Sequence, residues 1–150
     1  IEPNVSTTRE RFEVLKIMED NGIPTVVWLS PILPFINDTE ENIRGILDYC
    51  IKAKVHGIIC FGMGLTLREG NREYFYKKLD EHFPGMKARY IERYKYAYNV
   101  NSPNSNKLMG IVKKTCKSHG ILYDIEECFN YLYKFEERNK YEQLILPGLD

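Results

Sequence analysis

Residues 25–38 (TVVWLSPILPFIND) constrain this chain more than any other stretch. Val26, Val27, Trp28 and Leu29 form an apolar run without polar alternation. Such a run suits a strand of a parallel sheet covered on both faces. Ser30-Pro31 breaks it, because proline cannot donate to a sheet ladder. The chain then crosses an apolar loop with a second proline, Pro34, and reaches Asn37-Asp38, a helix-start signal. Strand, loop and helix in that order is the layout of a β/α barrel, where the loop after the strand carries the chemistry.

The surrounding pattern repeats the unit. Thr7 and Glu10 are spaced as a capping box, followed by Phe12, Leu15 and Met18 at helical spacing and a stop at Asn21-Gly22. Asn37 or Asp38 is expected to cap a second helix with Ile43, Ile46, Leu47, Cys50 and Ile51 facing inward. Residues 55–61 (VHGIICF) read as a second buried strand, closed by a turn at Gly62-Met63-Gly64. Beyond that point the pattern turns helical. Helices are predicted over 74–83, 87–98, 107–118 and from Asp124 through Phe135, with a break at 100–105 and an extended tail over 136–150. Two strands do not make a stable open sheet, which is a physical reason to expect missing strands and self-association through an exposed edge.

The chain has 21 basic and 21 acidic residues, which argues against global steering to nucleic acid or membrane. Residues 84–119 are the exception, with eight Lys/Arg and Glu92 as the only acid. Cys50, Cys60, Cys116 and Cys128 are too scattered for a compact metal set and read as small core residues. With no secretory leader pattern, they point to a reducing, cytoplasmic setting. No apolar run reaches the roughly 20 residues of a membrane span.

Several motifs, taken in order, resemble the carboxy-terminal half of the radical SAM superfamily, in its spore photoproduct lyase-like branch. They are Glu2-Pro3, Arg11, Asn21-Gly22-Ile23, Ser30-Pro31-Ile32-Leu33-Pro34, Asn37-Asp38, Phe83-Pro84, Tyr94, Tyr98, Ser102-Pro103-Asn104, Lys107-Leu108 and Gly120-Ile121. The resemblance implies an α/β fold. Residues 1–83 would form the last βα units of a partial (β/α)6 barrel with two parallel strands, 84–135 a helical extension and 136–150 a tail. It also implies a parent enzyme that cleaves S-adenosylmethionine reductively to a 5′-deoxyadenosyl radical, with nucleic acid among its candidate substrates. The CxxxCxxC loop that holds the family's [4Fe–4S] cluster is absent from these residues, so this chain is expected to be inactive alone and to need the missing amino-terminal barrel half.

On that resemblance Glu2, Ser30, Pro31 and Gly62 are the cofactor-side candidates, and no catalytic or metal-ligating residue is assigned. Arg93, Tyr94 and Tyr98 are the candidates for nucleic acid or substrate. Their block (KARYIERYKYAY, 87–98) interleaves cations with aromatic rings, as single-stranded nucleic acid requires. Tyr90, Tyr94 and Tyr98 at i, i+4 and i+8 equally describe a stripe facing a core. An α/β interaction module that binds an acidic partner through this helix is the alternative function. His56, His82 and His119 are isolated and read as structural or surface residues, and Ser30 lacks a nucleophile elbow.

Overall fold

The computed structural model describes residues 5–134. Glu2 and the 136–150 tail lie outside the described residues. The fold is mixed α/β. Helix α1 (Thr8–Asp20) starts at the expected capping box. The Thr7 hydroxyl accepts from the Glu10 amide, and the Glu10 carboxylate accepts from the Thr7 amide. Strand β1 (Val26–Trp28) follows, then α2 (Glu40–Lys52) and β2 (Gly57–Ile59). The two strands pair in parallel, with Val26 opposite Gly57 and Trp28 opposite Ile59. Leu122 extends the pairing on the far side of β2, where its carbonyl accepts from the Ile58 amide at 2.8 Å. β1 is therefore an edge, with β2 as its one partner strand among the described residues.

The first core lies on one face of this sheet. Leu29 and Ile58 meet Ile43, Leu47 and Cys50 of α2 and Leu108, Val112 and Cys116 of α5 (Ser105–His119), all buried. The opposite face is covered in part by α6 (Ile125–Tyr133), which Asp124 caps as expected. The approach is close. A β-carbon at Gly57 would sit 3.1 Å from Cys128 Sγ, so this position has no room for a side chain.

The second half departs from the sequence reading. Gly62-Met63-Gly64 is not a simple turn. Met63 is fully buried in the first core, and Gly64 opens a strand, β3 (Gly64–Thr66). The expected break at 100–105 contains another, β4 (Asn99–Asn101), antiparallel to β3. Sequence periodicity could not reveal three-residue strands rich in Gly and Asn, which long-range pairing alone maintains. Helices α3 (Asn71–His82) and α4 (Met86–Tyr94) pack beside this sheet and form a second core of Leu67, Phe75, Leu79, Tyr90 and Val100. α4 ends at Tyr94, where Lys95 turns to φ 50°, so Tyr98 lies outside the helix and the expected three-tyrosine stripe stops at two. Among the described residues no helix is long and apolar enough to cross a membrane.

Candidate functional site

Residues 30–38 join the two cores. Ile32 is buried in the first, while Leu33, Phe35 and Ile36 pack against the second. Each end of the segment is held by hydrogen bonds. The Tyr90 hydroxyl donates to the Pro34 carbonyl at 2.7 Å, and its burial pushes the phenol pKa up. The Asn37 side-chain oxygen accepts from the Leu33 amide at 2.6 Å. The Arg89 guanidinium lies 3.9 Å from the centre of the Phe35 ring.

Neither Asn37 nor Asp38 caps α2. Thr39 does, with its hydroxyl accepting from the Asn42 amide at 3.2 Å. Asp38 is buried and accepts from the Ser102 hydroxyl. Ser102 in turn accepts from the Asn104 amide at 2.9 Å. The Asn37-Asp38 and Ser102-Pro103-Asn104 motifs, far apart in sequence, thus meet in one buried polar joint. A buried carboxylate is tolerated only with such partners.

A cleft of about 1580 Å³ opens at the carboxyl ends of β1 and β2. Ser30, Pro31 and Gly62 all line it, so three of the four cofactor-side candidates come together. The Ser30–Pro31 peptide is cis. The aromatic pair Trp28 and Phe61 also lines the cleft, with ring centroids 5.3 Å apart. Trp28 is 56% exposed and Phe61 59%. Thr66, Asn99 and Asn101, from the sheet that sequence reading missed, contribute polar groups. Among the described residues the charged side chains of the lining are Arg11 and Arg68, and none is a carboxylate.

Arg93, Tyr94 and Tyr98 do not line this cleft. Tyr94 donates its hydroxyl to the Asn101 carbonyl at 2.7 Å, a structural use. The Tyr98 hydroxyl accepts from Arg68 Nε at 3.0 Å. Arg93 is exposed on the last turn of α4. The adjoining turn is clamped by Arg72, which donates to the carbonyls of Leu67, Lys95, Tyr96 and Ala97 at 3.0–3.3 Å. Sequence reading passed over Arg68, Asn99 and Asn101. The alternation Asn99-Val100-Asn101, polar on either side of a buried Val100, is the local trace of β4, and three residues are too few to read as a strand.

The four cysteines are buried and free. Burial raises every thiol pKa, that of Cys50 to about 12 and that of Cys116 to about 11. Among the described residues no three His, Cys, Asp or Glu side chains group as a metal site.

No protein-family model matches the chain, and no solved structure matches it. It is similar to uncharacterised proteins of Mycobacterium tuberculosis and Mycobacterium bovis, at 27% identity over 95 residues. The match covers 63% of this chain but 27% of the length of those relatives.

Proposed function

We propose that this chain is the carboxy-terminal part of a radical SAM enzyme of the spore photoproduct lyase-like group, whose cofactor borders the cleft above β1 and β2. The observation that carries the reading is the convergence of Ser30, Pro31 and Gly62 at the carboxyl ends of neighbouring parallel strands. Open α/β sheets bind their ligands there. The one-sided pairing of β1 supports a larger parent. So do the half-exposed Val14 and Ile17 on α1, which an adjacent βα unit of a partial (β/α)6 barrel would cover. The isolated chain is expected to self-associate through the same edge.

The residues fit S-adenosylmethionine in part. An arginine of the lining suits its carboxylate. Among the described residues the lining offers no carboxylate to the ammonium and sulfonium cations. The thiols do not fit an iron–sulfur cluster. They are buried, protonated and ungrouped, and the ligands must come from the parent's other half. The test is the parent protein reconstituted anaerobically with iron and sulfide. Release of 5′-deoxyadenosine under reduction supports the reading, and a cluster-loaded protein that releases none sinks it.

A further inference from the structure

The two arginines of the cleft are held alike. Arg11 donates Nε to the Ser6 carbonyl at 3.2 Å, and Arg68 donates Nε to the Tyr98 hydroxyl at 3.0 Å. Among the described residues, neither guanidinium spends its terminal Nη groups on a hydrogen bond, and neither pairs with a carboxylate. This differs from Arg44, which pairs with Glu40, and from Arg72, whose Nη groups are fully engaged by carbonyls. A guanidinium oriented through Nε, with its Nη pair left over, is prepared for an oxyanion.

Trp28, the last residue of β1, and Phe61, two residues past β2, line the same cleft and are each more than half exposed. Thr66, Asn99 and Asn101 supply neutral donors and acceptors. Among the described residues no lysine, aspartate or glutamate lines the cleft. Exposed rings, neutral amides and arginines without a carboxylate partner among the described residues favour a ligand that couples a flat ring to a negative charge.

We infer that this cleft binds a planar aromatic ligand bearing an anionic group, with the ring against Trp28 and Phe61 and the anion on Arg68 or Arg11. The inference deepens the functional reading by giving the substrate a chemistry distinct from the cationic cofactor. It stands on the cleft alone, so the two fail separately. Binding of ring-bearing anions is measured on this chain, whereas 5′-deoxyadenosine release is measured on the parent.

Trp28 is the only tryptophan, so its indole N–H gives a single NMR reporter inside the site. Three probes separate the contributions: 2-naphthoate (ring and negative charge), 2-naphthylmethylamine (ring and positive charge) and acetate (charge without ring). 2-Naphthoate is expected to shift the Trp28 signal and to bind at least about tenfold more tightly by calorimetry than either other probe. Arg68→Gln and Arg11→Gln, both at exposed positions, should together remove that preference. Equal affinity for the three probes, an unmoved Trp28 signal, or an unchanged preference in the double variant would overturn the inference.

Discussion

The core around β3 and β4 is sealed by side chains that reach across from other elements, whereas the core around β1 and β2 ends in an unpaired strand edge and exposed rings. Tyr90 anchors the Pro34 carbonyl, Ser102 anchors Asp38, Tyr94 anchors the Asn101 carbonyl and Arg72 gathers four carbonyls. Among the described residues nothing comparable closes the free edge of β1, and Trp28, Val14, Ile17 and Ile23 are each at least half exposed. Parallel sheets normally have both faces covered, and exposed strand edges are usually protected. On the proposed reading the two cores differ in their dependence on further chain: the second is closed by its own ties, and the first would be covered by the parent's neighbouring unit.

The sharpest way to break that contrast is to remove one large aromatic from each region. Tyr90 is fully buried at the centre of its core, against Phe35, Phe75 and Tyr94. Tyr90→Ala should cost about 3–5 kcal/mol through the cavity and the orphaned Pro34 carbonyl. Trp28→Ala should cost about 1–2 kcal/mol, since half the ring surface is already in water. Denaturant titrations of both variants supply the comparison. Equal losses would mean that Trp28 is packed in solution and that the first core is closed after all.

A smaller effect tests whether the second sheet is as tight as its polar ties suggest. A β-carbon at Gly64 would lie 2.3 Å from the Val100 carbonyl oxygen and 2.9 Å from Asn101 Oδ1. Backbone, not a flexible tip, is in the way. Gly64→Ala should force β3 away from β4 and cost about 1–3 kcal/mol, as overpacking does. Hydrogen exchange localises it: protection should fall at Leu67 and Ser102, whose amides bond the Tyr98 and Met63 carbonyls, and hold at Leu29 and Ile58. Loss of protection throughout the chain would join the two cores into one cooperative unit.

Local signals carried much of this fold. The α1 capping box needs four consecutive residues, and the α6 cap needs Asp124 followed by an apolar stripe, so both were readable. The cleft was half readable, because parallel pairing brings the ends of successive strands together and so unites Ser30 with Gly62. Its other wall was not. Thr66, Asn99 and Asn101 sit on strands whose composition disfavours strand and whose partners are about thirty residues away in the chain. Asp38 misled for a related reason. Its residue type and position satisfied a local rule, while a hydroxyl 64 residues further along took it into the interior. The tyrosine stripe failed at Tyr98 because nothing in its spacing announces the reversal at Lys95.

The smallest predicted effect lies on the open side, where α1 is tied to the chain after α2 by charge. Glu19 accepts from Lys16 Nζ at 2.6 Å and from Lys54 Nζ at 2.7 Å. The bond from Lys16, then that from Lys54, lowers its carboxyl pKa from 4.5 to about 2. A carboxyl lowered in the folded state contributes stability that is full above pH 4.5 and lost as pH falls through about 2. Glu19→Gln should therefore lower the melting temperature slightly at neutral pH and flatten the acid limb of its profile, so that variant and parent converge as pH falls toward 2. Added salt should mimic the variant, because Lys54 is 76% exposed and such pairs are screened. The hydroxyl-to-carbonyl ties of the second core carry no charge, so protection there, taken relative to the intrinsic exchange rate at each pH, should follow neither pH nor salt over this window. If Glu19→Gln leaves the acid limb unchanged, α1 is held by Phe12 against Tyr49 and not by its ion pairs, and the open side is firmer than its exposed surface indicates.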